Sequence, residues 1–364
     1  MKSGEESKAF SLSRSVRCSF VGLMVLVTTL LGYSQEVRVN QGREGLPAAH
    51  IAGGAATLVP DLKNIVRTPG RLTRGKYLVE GLLQCTMCHS KMDYTHLPAL
   101  PVPESKGGGR IFGQGRLPKG TLIVAPNISS DPEYGAGEWM DGDFVRALRQ
   151  GIGHDGRILF QLMPYEYFRN LSDEDLASVI VYERSLAPVH IQQPKTVLPE
   201  SIAKAIQPLP PIEHVPEPDK SDQINYGKYL VTVAHCKACH TPHDEDGELI
   251  SGLEFSGGQV FTGPFGPDGR TVQVASLNLT SDPSGIPYFD ERRFIEVIRS
   301  GRVSARPLAS VMPWAYFRNL TDVDLKAIFA YLRSLPAVKH RVDNTEPPTY
   351  CRVCRHTHGL GNLN

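Results

Sequence analysis

Two pentapeptides of one type stand out: Cys85-Thr86-Met87-Cys88-His89 and Cys236-Lys237-Ala238-Cys239-His240. Two thiols separated by two residues, with a histidine next in line, form the attachment signature of c-type haem. Thioether bonds from the cysteines would fix the porphyrin. The adjoining imidazole would ligate the iron from the proximal side. A single copy is also compatible with chance or with half of a zinc site; a second copy with the same downstream sequence strengthens the haem reading.

An iron held this way takes a sixth ligand. Met163 and Met312 stand at matching places downstream, each followed by proline. A thioether favours ferrous iron, so His/Met ligation raises the potential. The proline stiffens the turn that presents the sulfur. Ordinary packing methionines are the alternative, but the matched placement favours ligands. Met87, Met92, Met140 and His154 have no counterpart in the other half, and His235 is expected on a helix surface. The expected cofactors are therefore two covalently bound c-type haems, with Cys85, Cys88, His89 and Met163 at one and Cys236, Cys239, His240 and Met312 at the other.

The positioning elements repeat as well. Gly75-Lys76-Tyr77-Leu78-Val79 matches Gly227-Lys228-Tyr229-Leu230-Val231. Asn127-Ile128-Ser129-Ser130-Asp131-Pro132 matches Asn278-Leu279-Thr280-Ser281-Asp282-Pro283. Met163-Pro164-Tyr165 through Asn170-Leu171-Ser172-Asp173 matches Met312-Pro313-Trp314 through Asn319-Leu320-Thr321-Asp322. In each half the pattern predicts a helix entering the haem motif, near 72–88 and 224–239. A Gly/Pro-rich wrapping loop with a small hairpin follows. Next comes a short helix near 141–150 or 290–300, with Asp141 and Asp290 as N-caps and Gly151 and Gly301 as stops. The final helix starts at Ser172 or Thr321, and Leu325, Ile328, Phe329 and Leu332 give it one apolar face. Asn127, Asn170, Asn278 and Asn319 begin Asn-x-Ser/Thr sequences, read as backbone caps rather than glycan sites. Arg169 and Arg318 are open between pairing with haem propionates and capping a turn.

The chain has 364 residues, a formal charge of +1 and 41% hydrophobic residues. This suits two ordinary domains and offers no basic footprint for nucleic acid. The N-terminus carries Lys2, Lys8, Arg14 and Arg17, an apolar run from Phe20 to Leu31, and Gly32-Tyr33-Ser34 at a cleavage position. That pattern predicts a secretory signal. The run is short against the roughly 20 residues of a membrane span; an uncleaved anchor is the alternative. Export also suits haem attachment, which takes place outside the cytoplasm, so a periplasmic location is expected.

The segments divide as 1–34 signal peptide, 35–69 N-terminal extension, 70–190 first domain, 191–222 Pro-rich linker, 223–341 second domain and 342–364 tail. The linker is expected to drape over one domain. In the tail, Cys351-Arg352-Val353-Cys354-Arg355 lacks the histidine of a third haem motif. A disulfide or an unstructured tail is the favoured reading, ahead of a metal bound by Cys351, Cys354, His356 and His358.

From about residue 70 to 340 the chain resembles the multihaem cytochrome c subunits of bacterial membrane-bound dehydrogenases of the alcohol and gluconate type. The two haem motifs, the Asn-Ile/Leu-Ser/Thr-Ser-Asp-Pro segments and the Met-Pro-Tyr/Trp turns followed by Tyr-Phe-Arg-Asn-Leu carry the resemblance. Those subunits usually have three haem domains, whereas two are read here. The resemblance implies a mostly α fold: two tandem cytochrome c-like domains, each a small helical bundle with long loops around one covalently attached haem. It also implies electron relay between a dehydrogenase subunit and a quinone- or oxidase-linked carrier, with peripheral membrane association as an option. The rival expectation is an enzyme, a dihaem cytochrome c peroxidase or a thiosulfate dehydrogenase-like oxidoreductase.

Overall fold

A computed structural model describes residues 62–96, 98–112, 120–245, 247–265 and 271–359. The expected signal peptide and residues 35–61 of the N-terminal extension lie outside the described residues. Among the described residues no helix is long and apolar enough to cross a membrane.

The chain enters through α1 (Pro69–Tyr77), capped by the Thr68 hydroxyl, which accepts from Arg71 N–H at 3.2 Å. Residues Leu78–Leu82 continue as a π-helix, and Cys85–Cys88 form a separate one-turn α2. Between them Gln84 takes a left-handed conformation, φ 54°. The second half repeats this: α7 (Gln223–Val233) ends before α8 (Cys236–His240), with His235 at φ 47°. The expected continuous entry helix is therefore broken at the residue before each first cysteine. A left-handed residue reverses the local twist and re-aims the short helix, a feature that periodicity does not carry.

In the first half β1 (Met92–Asp93) pairs with β2 (Leu100–Pro101), and β3 (Arg110–Phe112) with β4 (Ile123–Ala125), both antiparallel. Then come α3 (Asp141–Gln150), the one-turn α4 (Tyr165–Phe168) and α5 (Asp173–Glu183). Helix α6 (Glu200–Ala205) lies in the linker. In the second half β5 (Val260–Gly263) pairs with β6 (Val272–Ala275), so the expected small hairpin is present in both wrapping loops. Helix α9 (Glu291–Ser300), the β7–β8 ribbon (Arg302–Val303 with Arg306–Pro307), α10 (Trp314–Phe317) and α11 (Asp322–Ser334) follow. The architecture is helix-rich, with only two-stranded ribbons and no barrel among the described residues.

The caps show how sequence becomes placement. Ser172 Oγ accepts from Asp175 N–H and Thr321 Oγ1 from Asp324 N–H, at 3.1 and 3.2 Å. Asp290 caps α9 as expected. Asp141 instead is the first helical residue of α3: Met140 is the cap residue, and its N–H donates to Asp143 at 2.8 Å. Gly151 and Gly301 end α3 and α9 with φ 71° and 66°, and a Cβ there would lie 2.6 Å from the Tyr165 ring or 2.4 Å from Trp314. Each helix stop thus also seats the aromatic residue of the Met-Pro turn.

The entry and final helices of each half pack closely, α1 on α5 and α7 on α11. Gly75 and Gly227 permit the crossing, since a Cβ at either would sit 1.9 Å from the carbonyl oxygen of Ser178 or Ala327. The buried apolar residues of both halves form one cluster, including Leu78, Leu82, Leu176, Leu230, Leu320 and Leu325. Across it the halves exchange matched contacts. Tyr77 Oη donates to Asp324 Oδ2 (2.5 Å) and accepts from Thr321 N–H (3.0 Å). Tyr229 Oη donates to Asp175 Oδ2 (2.6 Å) and accepts from Ser172 N–H (3.3 Å). The repeated tyrosine of each entry helix therefore reaches the capped first turn of the other half's final helix.

Residues 191–222 run over the first half. Leu122 and Val197 exchange backbone hydrogen bonds of 2.8 Å, Gln193 donates to Gly108 O, and Asp173 N–H donates to Val215 O. The tail is not unstructured: β9 (Thr349–Tyr350) and β10 (Thr357–His358) form a ribbon, and Cys351 and Cys354 are free thiols.

Candidate functional site

Each attachment motif is a single helical turn, so its thiols and imidazole project from neighbouring positions. Cys85, Cys88, Cys236 and Cys239 are free thiols, and burial raises the pKa of all four, Cys239 to about 11 and Cys236 to about 12. A thiol held protonated is a poor thiolate nucleophile; Cys85 is buried, and Cys88, Cys236 and Cys239 are partly exposed.

The histidines are held in the same way in both halves. His89 Nδ1 lies 2.8 Å from Pro126 O, and His240 Nδ1 lies 2.8 Å from Leu277 O. A carbonyl only accepts, so Nδ1 carries the proton and Nε2 keeps its lone pair. This is the orientation that a metal-ligating imidazole takes. Burial pushes both imidazoles down, towards the neutral form.

The accepting carbonyls give a second role to a motif whose spacing predicts only caps. Pro126 and Leu277 directly precede Asn127 and Asn278. Asn127 Oδ1 accepts from Ser129 N–H (3.0 Å), while its Nδ2 donates to Val189 O (2.7 Å). Asn278 Oδ1 accepts from Thr280 N–H (2.9 Å), while its Nδ2 donates to Val338 O (2.9 Å). Each buried asparagine ties the wrapping loop to the segment leaving the final helix, and so fixes the carbonyl that orients the histidine. The capping expectation holds at these two positions, but the service to the imidazole was missed; the signal lay in the motif's equal spacing from each His.

Met163 and Met312 are half-buried and pack against the shared apolar cluster. Their turns match: Met163 N–H donates to Phe160 O and Met312 N–H to Ala309 O, both 3.0 Å, and the following Tyr165 and Trp314 N–H groups donate back to the methionine carbonyls at 2.8 Å. Met312 also lines a cavity with Met87, Arg110 and Tyr316, so its turn lies close to the first attachment motif. That closeness follows from the exchanged packing of the halves, in which α10 meets the Leu78–Leu82 segment and α4 meets α7.

One side chain falls elsewhere than expected, and others find partners that the sequence left open. His235 is not on a helix surface; it lies 6.2 Å from the rings of both Tyr167 and Phe168, and burial lowers its pKa to about 4. His154 stacks on Trp139 at 4.4 Å. Arg169 donates to Pro210 O in the linker, and Arg318 lies over Trp314.

The donor set fits covalently held haem: two free thiols and one imidazole with an open Nε2 on each short helix, and a thioether in a matched turn. No family model matches the chain. Over 277 residues it is 32% identical to a component of the nicotinate dehydrogenase of Pseudomonas putida, covering 72% of this chain and 21% of that protein. Over 305 residues it is 31% identical to the cytochrome c subunit of the quinone-type alcohol dehydrogenase of Gluconacetobacter polyoxogenes, covering 79% of this chain and 60% of that protein. It is 27% identical over 279 residues to a dihaem cytochrome c-type protein of Cereibacter sphaeroides, covering 70% of this chain and 83% of that one. The chain thus spans less than two thirds of the length of the first two relatives. By these relatives, the chain is similar to cytochrome c subunits of alcohol, fructose and gluconate dehydrogenases and to a dihaem cytochrome c.

Proposed function

We propose that this protein is an exported electron-transfer subunit with two tandem cytochrome c domains, each holding one covalent haem. The observation that carries the proposal is the repeated orientation of His89 and His240 by backbone carbonyls, each beside two free thiols. When bound, haem would supply reversible one-electron chemistry. Cys85 and Cys88, or Cys236 and Cys239, would anchor the porphyrin. His89 and His240 would face the iron through Nε2, and Met163 and Met312 would offer the opposite ligand. The apolar cluster beside these groups would lower the local polarity and so disfavour the more charged oxidised state.

The equal provision of a methionine in each half supports a relay over the dihaem peroxidase or thiosulfate dehydrogenase-like alternative, which needs an iron with an open face. The relatives' names support a dehydrogenase subunit as donor. A quinone- or oxidase-linked acceptor, a periplasmic location and peripheral membrane attachment belong to the same proposal. Alkaline pyridine spectra and intact mass test it: two c-type haems per chain are expected. A chain that matures with one haem or none, or that turns over peroxide, would overturn it.

A further inference from the structure

The C-terminal segment carries donor groups that the haem sites leave unused. Strands β9 and β10 are joined by a tight turn in which Cys351 N–H donates to His356 O (2.8 Å) and Arg355 N–H to Cys351 O (2.9 Å). Arg355 adopts φ 61°, which closes the turn. One ligand atom from each of His340, Cys351, Cys354 and His358 lies within 4.8 Å of the others. His340 comes from the irregular segment after α11. It takes the place that local sequence spacing had offered to His356.

The four side chains are presented as ligands. His340 Nδ1 lies 3.1 Å from Ser256 O, which leaves Nε2 for the cluster; a carbonyl on the far nitrogen orients metal-bound imidazoles in this way. That Nε2 is 3.4 Å from Cys351 Sγ. A tetrahedral zinc with bonds of about 2.3 Å to sulfur and about 2.0 Å to nitrogen gives S···N edges of roughly 3.5 Å. His358 Nε2 is buried and has no hydrogen-bond partner, an exception that asks for a cause. His340 and Cys354 are each 1% exposed and His358 7% exposed, so the cluster is shielded from bulk solvent.

We propose that His340, Cys351, Cys354 and His358 form a structural Cys2His2 site for Zn²⁺. Two thiolates and two imidazoles are a borderline-soft set that suits zinc and not calcium or magnesium. Four protein ligands close the coordination sphere, so the site serves structure and not catalysis. On binding, two Zn–S bonds replace two S–H bonds and two protons leave to solvent; nothing is oxidised or reduced. The site clamps the tail against Ser256–Gly258. Gly257 N–H in that stretch donates to His240 O at 2.8 Å, so the metal braces the loop over the second attachment motif. In the first half Gln193 Nε2 makes the corresponding tie, to Gly108 O.

The competing fate is a Cys351–Cys354 disulfide, which an oxidising compartment permits and which removes both sulfur ligands. Elemental analysis of the purified haem-loaded protein, grown with zinc, separates the two. The expected result is about one zinc per chain, with a zinc-edge X-ray absorption spectrum fitted by two sulfur and two nitrogen neighbours. Cys354→Ser and His358→Ala should lose the zinc, and His356→Ala should keep it, with the haem spectrum unchanged in each. Should the ligand variants fail to accumulate, a chelator added to the unmutated protein should remove the zinc and lower its melting temperature. A zinc-free chain, an intact mass two hydrogen atoms short from a Cys351–Cys354 bond, or zinc that persists in Cys354→Ser would overturn the proposal.

Discussion

The exchanged tyrosines make an unequal prediction from an apparently symmetric contact. Tyr77→Phe removes the hydroxyl that donates to Asp324 and accepts from Thr321 N–H. Asp324 is 5% exposed and, among the described residues, keeps Tyr226 Oη, at 2.8 Å, as its side-chain donor. A hydrogen bond to a charged group contributes about 1.5–3 kcal/mol, and an orphaned buried group adds to the loss. Tyr229→Phe removes the matching bond to Asp175, but Arg74 still donates twice to that carboxylate, at 2.7 and 2.8 Å. The expected losses are therefore about 2–3 kcal/mol for Tyr77→Phe and about 1 kcal/mol for Tyr229→Phe. Urea unfolding of the haem-loaded protein, followed by far-ultraviolet circular dichroism and haem absorbance, measures both. With a slope of about 2–3 kcal/mol per molar, the first variant should move its midpoint down by about 1 M. Two losses below about 0.5 kcal/mol, or a larger loss for Tyr229→Phe, would refute the reasoning that the remaining donors decide the cost.

Other perturbations probe the site and its frame. Met163→Ala or Met312→Ala should retain the haem and lower one potential, within the roughly 0.8 V range that axial ligands control; redox titration showing both potentials unmoved would dismiss the methionine ligands. Gly75→Ala puts a Cβ against the Ser178 carbonyl, an overpacking expected to cost about 3 kcal/mol, and a melting temperature equal to wild type would contradict the close crossing. Burial alone lifts the Glu183 carboxyl from 4.5 to about 8. The folded state then holds a proton that the unfolded state has lost, so this stabilising contribution is complete below about pH 4.5 and falls by about 1.4 kcal/mol per unit until about pH 8. Glu183→Gln should accordingly match wild type near pH 4 and exceed it by a few kcal/mol at pH 8; stability curves that stay parallel over that range would rule this out.

The helical turns of the two CxxCH motifs and the final-helix caps were legible because each depends on residues close in the chain. A CxxCH turn, a serine three residues before the N–H that it caps, and an i, i+3, i+4 stripe are local patterns. The order of helices was legible for the same reason. What the repeat could not reveal is how the two copies meet. Tyr77 and Thr321, or Tyr229 and Ser172, are joined only when the entry helix of one half reaches the first turn of the other half's final helix. The breaks at Gln84 and His235 were hidden too, since a left-handed residue leaves no mark on hydrophobic periodicity. The tail shows the division most plainly. Sequence spacing placed His356 beside the two cysteines, because reading along a chain weighs near neighbours. Folding instead brings His340 to them from before the ribbon, since the buried Ser256 carbonyl holds its ring there. The sequence by itself determined which donor groups exist and which lie on one turn; the tertiary structure alone decided which distant groups share a site, because that depends on packing and not on spacing.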